Sequence, residues 1–407
     1  MLPTQDPWYE APPGFEASHP GAILRARDVP SGSAVFSNAS HAYHIMYRTT
    51  GSRYQPTWAV TSLIVPKTAR VLSSSHKALL SYQIAYNSPS IDWGPSYRIF
   101  VPAQANNYGI STDHETIDLM LGCGWFVAVP DFEGARAAFT ATVLCGHAVL
   151  DGIRAVLSHT SSIDIKSSFK YAMWGYSGGS IASEKAAELQ VQYAPELLGG
   201  FVGAALGGLM CEIDGLIEAT NSTPFAGNIA IGLLGLMNEY PDFDDYVNTR
   251  LKREGPQSGT EFLMGRNLDS LGSFPVYRDQ DIFDYFIGGR AGLEESALFR
   301  QLKHVEWTLG YHGVPQIPLF VYKAIGDEMA PIADLDRLVA HYRRFGCRIL
   351  YERNTVGGHI PEIVNGQDRA IEWLANAFDG FDTGAVFETR DVTVDMYRPP
   401  TFSKVST

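Results

Sequence analysis

The segment of this chain best equipped for chemistry is Gly175-Tyr176-Ser177-Gly178-Gly179, which fits the pattern G-x-S-x-G. Phe169 to Trp174 before it read as a strand, and Ser180 to Leu189 after it read as a helix. A serine on so sharp a strand-to-helix turn sits in strained backbone, and small neighbours let the turn close. The helix N-terminus then presents backbone N–H groups to an oxyanion developing nearby. Ser177 is the candidate nucleophile, Gly178 a candidate oxyanion donor, and Tyr176 a candidate substrate contact.

An alcohol is a poor nucleophile near neutral pH, so Ser177 needs a base and the base needs an orienting acid. In sheets with a serine on such a turn, acid and base follow in chain order, each beyond a later strand. The predicted strand Leu319 to Ala324 runs into Ile325-Gly326-Asp327-Glu328, and the predicted strand Arg348 to Glu352 is followed by a glycine-rich loop ending at His359. Asp327 and His359 are therefore the candidate acid and base. Glu328, next to Asp327, could take the acid's place. His312 precedes Asp327 and reads as structural, and Asp334 and Asp336 read as starting the next helix. Asp131 and Glu133 follow another strand on the same edge. They could contact substrate, but hydrogen bonding to loop backbone is the better reading.

Strands and helices alternate around these positions. Strands are predicted at Trp58 to Val65, Ala78 to Ala85, Trp125 to Val129 and Phe201 to Leu206, and helices at Thr116 to Leu121, His147 to Leu157, Asp334 to Phe345 and Glu362 to Phe378. This is the pattern of an α/β protein, a mostly parallel sheet flanked by helices. The organisation expected is an arm over 1–50, a first core part over 51–208, an inserted helical cap over 209–305, a second core part over 306–378 and a tail over 379–407. The aromatics Phe225, Tyr240, Tyr246, Phe283, Tyr285 and Phe286 lie in the inserted segment. They read first as its core and second as the lining of an acyl channel, with Phe225 the candidate substrate contact.

The chain has 407 residues, 45% apolar and only 18% charged, which excludes general disorder. Its 31 Lys and Arg against 44 Asp and Glu give a net charge of −13, and no basic cluster points to nucleic acid. No apolar run reaches the roughly 20 residues of a membrane helix. Four cysteines without a CxxC pair offer no structural zinc site, and neither a metal nor an organic cofactor is expected. Met1 to Pro13 is polar and proline-rich, unlike a secretory signal. The expectation is an intracellular chain, with secretion after signal removal as the alternative.

Short segments in one order along the chain carry a resemblance. They include Asp6-Pro7-Trp8-Tyr9, Tyr47-Arg48-Thr49-Thr50, Ser81-Tyr82-Gln83, Gly94-Pro95-Ser96-Tyr97 and Asp131-Phe132-Glu133-Gly134. Leu150 to Ala155, the serine pentapeptide, Tyr193 to Leu197, Pro224 to Gly227 and Gly326-Asp327-Glu328 continue the series. From Asp6 to Asp379 the chain resembles the fungal secretory lipase family, which includes trichothecene deacetylase-like esterases. The resemblance implies an α/β-hydrolase fold with a helical cap, and a catalytic triad of Ser177, Asp327 and His359. It implies oxyanion donors at the Gly178 N–H and at Asn87, where the family's lipase has an acidic residue. Trp93 stands where that lipase has a cysteine. The missing disulfide partners favour a reducing compartment.

The expected activity is hydrolysis of a small-molecule or lipid ester through an acyl-enzyme, with an esterified fungal specialised metabolite among the expected substrates. Acyl transfer to an alcohol by the same intermediate is the alternative. A binding protein with an inert site is the alternative from another class, and the intact Ser, Asp, His order argues against it.

Overall fold

The structure, a computed structural model, describes residues 1–29, 35–101, 108–162, 168–381 and 387–397. Its centre is a ten-stranded sheet. The strands are β1 (Ile23–Asp28), β2 (Ala39–Thr50), β3 (Pro56–Pro66), β4 (Lys77–Gln83), β5 (Phe126–Pro130), β6 (Phe169–Tyr176), β7 (Phe201–Gly207), β8 (Leu319–Ala324), β9 (Ile349–Asn354) and β10 (Glu388–Val392). Their order across the sheet is β1-β2-β3-β5-β4-β6-β7-β8-β9-β10. Pairing is antiparallel from β1 to β5 and parallel from β5 onward.

The parallel strands β5 and β8 are buried along their whole length. A strand covered on both faces reads as a continuous apolar run, which is why these segments were legible. Helices Thr142–Ser162 and Gly178–Tyr193 pack on each other and against the sheet, and Gln367–Asp379 packs on β6 and β7.

Two segments differ from expectation. The first fifty residues, read as an irregular arm, contribute β1 and β2, and β2 pairs with β3 from Ala39↔Pro66 to Thr50↔Pro56. Burial on β2 runs unbroken from His44 to Thr50, so this strand lacks the in-out alternation that betrays a strand. The helix read from Glu362 to Phe378 is two helices, His359–Asn365 and Gln367–Asp379. They meet at Gly366, where a Cβ would lie 2.2 Å from the Tyr322 ring. In the tail, β10 pairs in parallel with β9, while 382–386 and 398–407 lie outside the described residues.

Between β7 and β8 the chain forms helices, among them Ile213–Thr220, Gly227–Glu239, Pro241–Arg250, Ser270–Tyr277 and Ala297–Trp307. These helices bury a hydrophobic cluster of their own, around Phe243, Phe262, Tyr277 and Phe299, separate from the cluster on the sheet. The sheet's register aligns the carboxyl ends that matter for function. Gln83 sits opposite Gly175, Tyr176 opposite Gly207, and Gly207 opposite Tyr322. Ala324 sits opposite Asn354. The loops after β4, β6, β8 and β9 therefore leave one edge together, where ligands of open α/β sheets bind.

Candidate active site

Ser177 lies between β6 and the helix Gly178–Tyr193 with φ 53° and ψ −124°. A positive φ on a residue with a side chain is strained, and here the turn is held from both sides. The Ser177 N–H donates to the Gly207 carbonyl at 2.9 Å, and the Ser180 N–H donates to the Ser177 carbonyl at 2.9 Å. The glycines allow close approach. A Cβ on Gly179 would lie 1.9 Å from the Gln83 carbonyl oxygen, and one on Gly178 would lie 2.1 Å from Asn87 Oδ1.

His359 begins the helix His359–Asn365 and is 2% exposed. Its Nε2 lies 2.9 Å from Ser177 Oγ and its Nδ1 lies 2.8 Å from Asp327 Oδ2. The other Asp327 oxygen, Oδ1, accepts the backbone N–H groups of Met329 and Ala330 at 2.9 and 3.0 Å. Glu328 has a different task, since its Oε2 accepts the His359 backbone N–H at 2.9 Å. The two adjacent acids thus divide the work, one on the ring and one on the main chain.

Burial pushes the Asp327 carboxyl up, but the His359 hydrogen bond and charge, the Lys323 charge and the Met329 N–H outweigh it and hold it below its ordinary value. Lys323 is the participant that sequence reasoning missed. It is 1% exposed, with Nζ 3.2 Å from Asp327 Oδ2 and donating to the Leu209 carbonyl at 2.9 Å. Its signal was a cation inside an apolar strand, four residues before the acid.

Tyr176 lines the cavity beside Ser177, yet its hydroxyl is engaged, donating to the His359 carbonyl at 2.5 Å. Burial first, then the charges of Asp327 and Glu362, raise that phenol well above its usual value, so it stays a donor. Tyr176 thus ties the serine turn to the histidine loop. Asn87 is buried beside Gly178 with φ 41°, and among the described residues its Oδ1 has no donor. Asp131 and Glu133 hold loops. Asp131 accepts the Ser96 N–H at 2.7 Å and the Ser96 hydroxyl at 2.5 Å, while Glu133 accepts the Ser88 N–H at 3.3 Å. Burial pushes the Asp131 carboxyl up to about 7 despite the Ser96 bonds, and raises that of Glu133 well above its ordinary value. His312 is structural, its Nε2 2.8 Å from the Val305 carbonyl.

Ser177 and His359 open into a cavity of about 480 Å³. Ile213, Phe225, Ile229, Phe283, Phe299 and Trp307, all from the segment between β7 and β8, make much of its wall apolar. Of the six aromatics singled out in that segment, Phe225 and Phe283 line the cavity. Tyr240, Tyr285 and Phe286 are instead buried in the hydrophobic cluster of the inserted helices, and Tyr246 packs against it. Among the described residues, no group of three or more His, Cys, Asp or Glu could hold a metal ion. The four cysteines are unpaired thiols. Among the described residues no helix is long and apolar enough to cross a membrane.

A mostly parallel sheet with its serine turn, histidine and carboxylate on one edge defines an α/β-hydrolase. The sequence profile of the secretory lipase family matches residues 100–385. A trichothecene C-3 esterase of Fusarium sporotrichioides is 42% identical over 385 residues, covering 93% of this chain and 84% of that protein. Lipase A of Arthroderma benhamiae is 34% identical over 413 residues, covering 98% of this chain and 84% of its own. Among solved structures, Candida antarctica lipase A superposes with a TM-score of 0.86 at 26% identity, covering 97% of this chain and 90% of that one. The chain belongs to the secretory lipase family, and it is a carboxylic ester hydrolase.

Proposed function

We propose that the chain hydrolyses its ester through an acyl-enzyme on Ser177, with His359 as base and acid and Asp327 as its orienting carboxylate. The observation that carries this reading is the unbroken line from Ser177 Oγ through the His359 ring to Asp327 Oδ2, with contacts of 2.9 and 2.8 Å. Ser177 Oγ attacks the ester carbonyl carbon while its proton passes to His359 Nε2. The oxyanion so formed takes the Gly178 N–H, and the Asn87 amide, whose oxygen lacks a donor among the described residues, can turn its Nδ2–H toward the same anion. Collapse breaks the ester C–O bond, and His359 returns the proton to the departing alcohol. Water then attacks the acyl-serine, giving a proton to His359 and releasing the acid. Asp327 stays ionised throughout and holds the imidazolium.

The substrate proposed is an esterified fungal specialised metabolite of the trichothecene kind. Support comes from the Fusarium esterase and from the probable trichothecene esterase SAT6 of Stachybotrys chartarum, which is 40% identical over 401 residues. In this reading residues 209–305 act as the cap that walls the site. The test is Ser177→Ala against p-nitrophenyl esters from acetyl to palmitoyl and against an acetylated trichothecene. The variant is expected to lose at least about a thousandfold in kcat. Retention of more than a tenth of wild-type turnover refutes the nucleophile, and a sharp preference for long acyl chains refutes the metabolite substrate.

A further inference from the structure

Beside the catalytic cavity lies a second, smaller one of about 80 Å³, and the two share Ala85, Asp113, Ser270 and Leu271 on their walls. Its character is different. Arg98, only 6% exposed, lines it with a guanidinium stacked 4.1 Å over the Trp93 ring. Arg98 Nη1 lies 3.7 Å from Asp269, and among the described residues its buried Nε–H finds no acceptor. Asp113 stands where the two cavities meet. Among the described residues its hydrogen-bond partner is Tyr82, whose hydroxyl donates to Oδ1 at 2.7 Å. A carboxylate has about four acceptor positions, so one phenol leaves most of them open.

Several polar groups elsewhere on the catalytic wall are occupied, Asn87 Oδ1 beside the serine being an exception. Glu306 accepts the Val143 N–H at 2.8 Å, Thr140 donates to the Gly232 carbonyl at 2.8 Å, and Ser270 donates to Asn228 at 2.7 Å. The annex sets an acceptor with open positions, Asp113, and a guanidinium, Arg98, on the wall of one small cavity. A ligand that supplies partners to polar groups with spare hydrogen-bonding capacity on a cavity wall is favoured over one that does not. An acyl chain cannot do so. The oxygen-rich half of an ester can.

We propose that this annex is the alcohol-side subsite, in which Asp113 accepts a hydroxyl and Arg98 donates to an ether or hydroxyl oxygen on the alcohol portion of the ester. The substrate class is then esters of polyoxygenated cyclic alcohols. This inference rests on the ester-hydrolase reading of Ser177.

Two acetates that differ by one oxygen test it: cyclohexyl acetate and trans-4-hydroxycyclohexyl acetate. At pH 8.5, above the value of about 7 to which burial pushes the Asp113 carboxyl, the wild-type enzyme is expected to favour the hydroxylated ester at least about tenfold in kcat/KM, through KM, as for a hydrogen bond to a charged group. Asp113→Leu is expected to bring the ratio to within about twofold of one. Both esters are measured on one preparation, so a general loss of active enzyme cancels. A wild-type ratio near one, or a ratio that Asp113→Leu leaves unchanged, overturns the proposal. Should the variant not fold, the wild-type protein decides. trans-1,4-Cyclohexanediol is expected to inhibit p-nitrophenyl acetate hydrolysis at least about tenfold more tightly than cyclohexanol, and equal inhibition overturns the subsite. Failure of the wild type on p-nitrophenyl acetate itself is a failure of the ester-hydrolase reading, not of the annex.

Discussion

Replacing Asp327 with asparagine changes one atom and, by the hydrogen bonds around it, reverses the histidine. The two backbone N–H groups of Met329 and Ala330 require an acceptor at Oδ1. The amide oxygen must occupy that place, so the NH₂ group faces the His359 ring and the Lys323 ammonium, 2.8 and 3.2 Å from the former Oδ2. A donor opposite Nδ1 forces the imidazole proton onto Nε2, and a protonated Nε2 cannot take the proton of Ser177. Flipping the amide instead would leave two buried N–H groups facing a donor. In a comparable triad of another fold the same substitution costs about 10⁴ in kcat, or ~5.5 kcal/mol of barrier. A loss of that size is expected here for p-nitrophenyl acetate at pH 7, with thermal unfolding as the control for folding. Glu328→Gln is the companion variant. Its amide oxygen can still accept the His359 N–H, so its loss should stay within about tenfold. If Asp327→Asn kept more than a hundredth of wild-type kcat, or if Glu328→Gln lost more than it, the division between the two acids would be wrong.

Further outcomes can be checked at the bench. Gly179→Ala puts a methyl 1.9 Å from the Gln83 carbonyl, backbone against backbone, and is expected to abolish soluble, active protein; a variant that folds and turns over normally refutes the close approach. Asp131 titrates in the fold near 7, above its unfolded value, so its contribution to stability is full below pH ~4 and is lost as pH rises through 7. The melting temperature of Asp131→Asn, relative to wild type, should therefore increase from pH 4 to pH 7.5, and a difference independent of pH contradicts that burial. Phe225→Ala removes an aromatic from the cavity wall and from its edge contact with Phe274 at 5.4 Å between centroids. It should raise KM about tenfold with kcat nearly unchanged, and a fall in kcat at constant KM places Phe225 elsewhere in the cycle.

The serine turn, the acid and the histidine were legible because each belongs to a local pattern. One is a strand run into glycines, and the others are polar residues just past an apolar strand. What joins them was not legible. Tyr176 read as a substrate contact because the sequence places it beside Ser177. Only the packing of the loop after β9 shows its hydroxyl engaged with the His359 carbonyl. Lys323 and Asp113 meet their partners through sheet and helix geometry, which one-dimensional spacing does not carry. β2 was lost for the opposite reason: its His44, Tyr47 and Arg48 look like a loop, while the fold buries them.

The separation of β7 from β8 has a consequence in time. Ala204 pairs with Leu319, so the central sheet stays open until the whole helical insertion has been made. At about 5–20 residues per second, that interval is on the order of ten seconds on the ribosome. Closing so long a loop costs little at equilibrium, since each doubling adds only ~0.6 kcal/mol, but the wait leaves β7 an unpaired edge. The insertion's own buried cluster lets that stretch collapse on itself meanwhile. On the proposed mechanism, the nascent chain therefore carries its serine for seconds before it has either an acid or a base, and the newborn chain is chemically mute until its last third is translated.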